Sequence, residues 1–227
     1  MPRDANATSL TQTAYERLRG DLLACRLEPG ARLRMGDLCR SLEVSLSAVR
    51  EALSRLTAEG LVVAEPQRGF RAAPISADEL RDLTSVRLEI EALCVRRAIA
   101  RGDLSWEAQL VAAFHRLSRT PERTPDDPER LSEEWVEAHG AFHLALVAAC
   151  DSGWLLRLRD MLYSQSERYR RLSFPLAAAK RDLNREHGAI KDAALARDAE
   201  RAVALMSEHL ELTTRILLDR PLAGEDR

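Results

Sequence analysis

Four of the five histidines, His139, His143, His187 and His209, fall where a metal site would need them. His139 and His143 are four residues apart, so on a helix they share one face. His187 and His209 lie in two later helical stretches, 22 residues apart. A divalent transition metal takes neutral imidazole or carboxylate ligands at about 2.0–2.2 Å. An i, i+4 pair supplies adjacent corners of such a site, and two further helices supply the rest. Spacing alone says little, because a helical histidine is more often a satisfied core or surface residue. His115, in a polar helix end, reads as solvated. Glu137 and Glu208 lie beside the histidines but on other helix faces, so they are not taken as ligands. No glutamate stands in an HExxH-like register to act as a general base.

Those histidines need a scaffold, and a separate module precedes it. Leu10, Ala14, Leu18, Leu22 and Leu23 recur at helical spacing, with Thr11 or Thr13 as the candidate cap. After Pro29-Gly30 a short helix is expected through Leu38 to Leu42. Ser45 or Ser47 can cap a third helix that turns Val49, Leu53 and Leu56 inward, and Gly60 is placed to stop it. Leu61-Val62-Val63 and Phe70-Arg71-Ala72 read as short strands around the turn Pro66-Gln67-Arg68-Gly69. Three helices and a small hairpin describe a winged helix-turn-helix, whose third helix enters the DNA major groove.

The stretch LCRSLEVSLSAVREALSRLTAEGLVVAEPQRGF resembles the DNA-binding domain of the GntR family of bacterial transcription regulators, over about residues 10–73. Carried onto this chain, the resemblance implies that Arg34 contacts phosphate. It implies that Ser45, Ser47 and Arg50 contact DNA at the head of the recognition helix, and that Arg68 and Gly69 form the wing tip. Leu46 departs from the family, which usually has Arg there. A leucine cannot read guanine as a guanidinium does, so the operator is expected to differ from the common consensus. Arg40 and Arg55 read as structural or solvated.

Beyond Ala73-Pro74-Ile75 the periodicity is helical throughout. Ser76 with Glu79 three residues on forms a capping box. Helices are expected over about 77–100, 104–120, 129–149, 153–173, 177–196 and 198–219, with TPERTPDDP (120–128) as a loop, Ser152-Gly153 and Pro175 as breaks between helices, and Asp198 as a cap. No strand pattern is visible after residue 73. The expected fold is mainly α: an N-terminal winged helix-turn-helix over residues 8–74 and a C-terminal all-α helical bundle over residues 78–220.

Arg87-Leu88-Glu89, Phe142-His143-Leu144-Ala145-Leu146, Glu186-His187 with Ile190, Asp198, Ala202 and His209 make the second module similar to the FCD effector domain of the FadR branch of that family. The resemblance implies a homodimer on double-stranded operator DNA, acting as a repressor released by a small organic acid. It also implies a metal site of Asp, a His four residues later, and two further His. Here His139 stands in the Asp position. Either all four histidines hold the metal, or His139 is not a ligand. An all-imidazole set puts Zn first among the divalent transition metals, with Ni as the alternative. Arg87 is the candidate clamp for an effector carboxylate. Tyr163, Arg168 and Tyr169 are candidates to line the effector pocket. The wording HGAFHLALVAACDSGWLL with SERYRRLSF also resembles a subgroup that represses glutarate or related dicarboxylate catabolism, which brings dicarboxylates among the effectors. Three other readings stay open: a metal-ion sensor with no organic effector, a metalloenzyme with a regulatory DNA-binding head, and a purely structural metal.

Composition bounds these readings. Of 227 residues, 45% are apolar and 4% aromatic, enough for a core or two and rich in helix formers. Residues 1–75 carry 11 Arg against 9 Asp and Glu, a net of +2, and the remainder carries 23 basic against 27 acidic residues, a net of −4. Bulk charge therefore does not argue for nucleic-acid binding, which must rest on placed arginines. Cys25, Cys39, Cys94 and Cys150 form no CxxC pair and read as buried thiols. No apolar run approaches a membrane span and no signal peptide is visible, so a cytoplasmic protein without membrane partners is expected.

Overall fold

The computed structural model describes residues 4–124, 126–177 and 181–219. Helix dominates, and the chain parts into two compact units between Glu79 and Leu80.

The first unit holds α1 (Asp4–Leu23), β1 (Arg32–Leu33), α2 (Met35–Leu42), α3 (Leu46–Ala58), β2 (Val62–Glu65) and β3 (Gly69–Ala72). Thr11 and Thr13 do not cap α1. The helix begins at Asp4, because residues 4–10 contain neither Gly nor Pro to stop it, and Thr11 is buried inside it. Ser45 does cap α3: its backbone is extended and its hydroxyl accepts from the Ala48 N–H at 3.3 Å. Gly60, at φ 74°, takes the left-handed turn that ends α3 and feeds β2. The strands form an antiparallel sheet in the order β1-β3-β2, with Arg32 and Val63 both opposite Arg71. Ala14, Leu18 and Leu22 of α1 pack on Val49, Leu53 and Leu56 of α3 and on Leu61 and Ala72. This core fixes α3 and leaves its first turn exposed.

The second unit is built on α4 (Ala77–Arg101), α5 (Leu104–Arg119), α6 (Glu133–Val147), α7 (Gly153–Ala177), α8 (Leu183–Leu195) and α9 (Ala199–Leu218). Ser76 caps α4 by accepting from the Glu79 N–H at 3.1 Å. Asp198 caps α9 through the Arg201 N–H at 3.0 Å. The expected loop at 120–128 is instead a two-stranded hairpin, β4 (Arg123–Thr124) and β5 (Asp127–Leu131). Its prolines hid it, but three contacts close it: Ser132 N–H on the Glu122 carbonyl at 2.9 Å, Thr124 Oγ1 on the Asp127 carbonyl at 2.7 Å, and buried Leu131. Accordingly α6 starts at Glu133 rather than near 129, with Ser132 as its cap. Pro175 does not end α7, which runs on to Ala177. Leu110, Leu117, Trp135, Phe142, Leu146, Ile190, Ala202 and Met206 fill the core. At Gly102 an added Cβ would lie 2.1 Å from the Trp106 ring, so only glycine admits that indole, whose Nε1 donates to the Ala145 carbonyl at 2.9 Å.

Cys94 and Cys150 are buried in this core, whereas Cys25 and Cys39 are only half-buried. Burial, reinforced by Cys150, pushes the Cys94 thiol up to about 12, which keeps it protonated. No helix among the described residues is long and apolar enough to cross a membrane.

Candidate functional site

The four histidines meet inside the second unit. His139 and His143 project from one face of α6, His187 from α8 and His209 from α9. All four are buried, and each offers a ring nitrogen within 4.8 Å of the others'. His139 is part of this group, in the position where aspartate was expected from resemblance. Its Nε2 lies 3.1 Å from His143 Nε2. Two nitrogens on one ion at bonds of about 2.1 Å stand roughly 3.0–3.4 Å apart, so this spacing fits neighbouring ligands.

The surroundings keep the rings neutral. Burial first, then Arg170 and the other histidines, hold His139 well below the usual imidazole range. Burial and the neighbouring histidines do the same to His143 and His187. Burial lowers His209 too, partly offset by its bond to Glu186. Neutral imidazole is the form that ligates a metal.

Outer partners orient two of the rings. Tyr163 Oη lies 3.2 Å from His139 Nδ1, and burial pushes the Tyr163 hydroxyl up so that it keeps its proton. Glu186 Oε2 lies 2.8 Å from His209 Nδ1. Burial raises the Glu186 carboxyl, but bonds from His209 and Arg181 outweigh it and hold the group at about 2. A carboxylate accepting at Nδ1 leaves Nε2 with a lone pair toward the cluster, as in carboxylate–histidine–metal arrangements. The other two rings lack such support. His143 Nδ1 and both nitrogens of His187 are buried without a hydrogen-bond partner among the described residues. The Leu183 carbonyl, one turn before His187, acts on that ring only from outside good bonding geometry. Buried imidazole nitrogens with nothing to bond fit a site for an ion.

Two chambers flank the cluster. One lies between the β4–β5 hairpin and helices α6, α7 and α9, and is lined by Arg123, Trp135, Arg170 and Arg181. The other lies between α4, α6, α7 and α9, and is lined by Arg87, His143, Tyr163, Ser166, Tyr169 and Arg170. His139, His209, Arg170 and Thr213 line both. Of the expected pocket residues, Arg87, Tyr163 and Tyr169 therefore border the cavity, whereas Arg168, though buried, lines neither chamber. The Arg87 guanidinium donates to Ser166 Oγ at 2.7 Å and reaches Glu91 at 3.4 Å. Glu91 in turn meets Arg159 at 3.2 Å, both almost fully buried. Sequence reasoning missed Glu91, Arg159, Arg170 and the role of Glu186. Only the Glu186-His187 dipeptide carried a visible signal.

In the first unit, Ser45, Ser47 and Arg50 are exposed on the opening turns of α3, with Ser45 and Ser47 hydroxyls 2.9 Å apart. Leu46 stands between them, 52% exposed and outside the core. Arg34 is exposed at the start of α2. Arg68 and Gly69 are exposed at the β2–β3 turn, where Gln67 and Gly69 have φ of 61° and 93°. Arg55 is held by Gln12 at 2.9 Å and over the Tyr15 ring at 3.9 Å, as its structural reading expected.

A winged helix-turn-helix head followed by a helical bundle defines a class of protein, the DNA-binding transcription regulators. The chain belongs to the GntR family of bacterial regulatory proteins, which it matches over residues 10–71, and carries an FCD domain over residues 82–212. It is similar to the HTH-type transcriptional regulator BphR of Paraburkholderia xenovorans (strain LB400), 44% identical over 94% of this chain and 87% of BphR. It is also similar to the HTH-type transcriptional repressor GlaR of Escherichia coli (strain K12), 37% identical over 92% of this chain and 96% of GlaR. Among solved structures, E. coli McbR/YncC shares the fold with a TM-score of 0.76 at 22% identity, covering 92% of this chain and 97% of its own. A GntR regulator from Rhodococcus sp. RHA1 matches with a TM-score of 0.73 at 26% identity, covering 93% and 99%. These relatives are transcriptional regulators, so the chain is not read as an enzyme with a regulatory head.

Proposed function

We propose that this DNA-binding regulator is a homodimeric repressor, released from its operator by a small carboxylate that binds beside a metal held by His139, His143, His187 and His209. The observation that carries the proposal is the cluster itself: four neutral imidazoles on three helices, two oriented from outside and two with orphaned nitrogens. Zn suits an all-imidazole set best, with Ni as the alternative. Four histidines around a six-coordinate divalent ion would leave two positions that a carboxylate oxygen could take. Arg87, fixed by Ser166 and Glu91, gives the same acid a charged donor on the α4 side. Tyr163 positions His139, and Tyr169 closes the chamber.

In the head, Ser45, Ser47 and Arg50 meet base edges and phosphates, Arg34 meets phosphate, and Arg68 with Gly69 forms the wing tip. Leu46 offers methyl surface instead of donors, which suits the thymine methyl group. Trp154, Leu158 and Met161 lie at i, i+4 and i+7 on α7 and are 72%, 40% and 51% exposed, an apolar stripe that supports a dimer. The acid lowers operator affinity by as much as it prefers the arrangement that binds DNA poorly. GlaR, by its name a repressor, supports that direction of control.

Fluorescence anisotropy on operator DNA, selected from a random library with the zinc-loaded protein, tests the proposal. Millimolar organic acids should weaken operator binding of the wild type and leave the His143→Ala/His187→Ala variant unaffected. DNA release that follows metal concentration alone, with no acid altering it, would establish a metal-ion sensor instead. Equal acid response in the double variant would remove the histidines from the mechanism.

A further inference from the structure

The arginines of the first unit divide by whether an acid holds them. Arg19, Arg26, Arg40 and Arg71 each meet a carboxylate within 3.1 Å. Arg34, Arg50 and Arg68, the arginines proposed above to meet DNA, have no carboxylate partner among the described residues. Arg32 belongs with them: it is exposed, and no acid among the described residues pairs with it. Arg17 of α1 is unpaired in the same sense, but no bond ties it to the wing.

Arg32 is tied to the wing. Side chains alternate along a strand, and Leu33 is buried in the core, so Arg32 and Arg34 leave the chain on the outer face. Arg32 Nη2 donates to the Arg68 carbonyl at 3.0 Å. That carbonyl stands at the tip, between two left-handed residues, Gln67 and Gly69. Nε and Nη1 of Arg32 have no acceptor among the described residues. Stability does not account for this placement. Arg32 lies directly opposite Arg71 across the sheet, and like charges so placed repel. Glu65 neutralises Arg71 at 3.1 Å, and the Gly30 carbonyl accepts from its Nη1 at 2.6 Å, but no acid among the described residues neutralises Arg32. An uncompensated guanidinium fixed at a wing tip fits an anion that arrives from outside.

We propose that Arg32 is a further DNA-binding residue: it pins the wing tip through the Arg68 carbonyl and sets its remaining guanidinium nitrogens on a backbone phosphate beside the wing. Arg34, Arg32 and Arg68 then form one basic tract from the start of α2 to the wing tip. Phosphate contacts of this kind fix register and add affinity, and they carry no base preference. The inference rests on the DNA-binding head alone and stands whether or not the second unit holds a metal.

Fluorescence anisotropy of the full chain on its selected operator, from about 50 to 200 mM salt, reads the contact. One neutralised phosphate contributes about 0.9 to the slope of log K against log salt. Arg32→Met should lower the slope by about 0.9 for each head on the DNA, so its affinity deficit shrinks about threefold per head over that range. A scrambled duplex should weaken about as much as the operator does. Arg32→Lys, which keeps the charge, should retain most of the slope. Arg40→Met removes the same charge from a residue already paired with Asp37 and should leave the slope nearly unchanged. An unchanged slope in Arg32→Met, or an equal drop in Arg40→Met, overturns the contact. So does an Arg32→Met change that adds nothing in an Arg68→Met background, which would make Arg32 a positioning residue for Arg68 alone. Thermal melts report whether each variant folds, and Arg32→Gln takes the place of the Met variant if that one does not.

Discussion

Replacing His187 by Leu should stabilise the metal-free protein, or leave it unchanged, while removing most of the stability that zinc confers. His187 is fully buried and neither ring nitrogen has a hydrogen-bond partner among the described residues. An unsatisfied buried polar group costs about 1–3 kcal/mol. Leucine is close to histidine in volume and has no polar atom to strand. A swap of similar volume costs up to about 1.5 kcal/mol in packing. The two effects together put the metal-free variant between about 0.5 kcal/mol less stable and about 3 kcal/mol more stable than the wild type. With zinc the order reverses. A ligand at 100 times its Kd stabilises the native state by about 2.7 kcal/mol, or several degrees for a chain of this length. The variant should keep little of that shift. Thermal melts by circular dichroism, in chelator and in excess zinc, measure all four numbers. A variant destabilised by more than about 1 kcal/mol in chelator would refute the orphaned-nitrogen argument. An undiminished zinc shift would remove His187 from the site.

Acid should destabilise the metal-free protein. The unfolded histidines titrate near 6.5 while the folded ones titrate below it, so below about pH 6.5 the unfolded chain holds more protons and stability falls. The slope reaches about 1.4 kcal/mol per pH unit for each histidine, read from melts at pH 7.5, 6.5 and 5.5, and a flat profile would show that the rings are not buried neutral. Glu186, held at about 2, contributes stability present above its unfolded value and lost only as pH falls from the ordinary carboxylate range toward 2, outside that window. Glu91→Ala should cost about 3–5 kcal/mol, because it strands the buried guanidiniums of Arg159 and Arg87; a loss under about 1 kcal/mol in urea denaturation would show the pair to be dispensable. Substituting deoxyuridine for the thymine that faces Leu46 in a selected operator should weaken binding by about 1 kcal/mol, and Leu46→Ala should abolish that sensitivity; competition binding that ignores the methyl group in every thymine position rules the contact out.

The parts of the fold legible in the sequence were those set by local chemistry. Ser45, Ser76 and Asp198 were readable as caps because an acceptor side chain three residues before an available N–H is a local pattern. The winged head was readable because its strands and turn follow in order. The hairpin at Arg123–Leu131 was not, since TPERTPDDP carries the marks of a loop and its pairing depends on Ser132 reaching back to Glu122. Pro175 misled for the opposite reason: its missing N–H removes one bond near the end of α7, too little to stop the helix there.

For the site, residue identity was legible and partnership was not. The i, i+4 pair His139 and His143 is fixed by helix geometry, but which side chain meets the outer nitrogen depends on how whole helices are rotated. That rotation brings Tyr163 from α7 to His139 and Glu186 from α8 to His209, while His143 Nδ1 and the His187 nitrogens are left without a well-formed hydrogen bond among the described residues. Outer support thus falls on the two histidines that line both chambers, whereas His143 lines only the Arg87-side chamber and His187 lines neither. Histidine in place of the expected aspartate at position 139 fits the same logic. An imidazole there needs an acceptor at Nδ1, and Tyr163 stands at that nitrogen. Tyr163→Phe should accordingly loosen His139 without removing a metal ligand, lowering zinc affinity by about tenfold or more while the stoichiometry of one ion per chain holds.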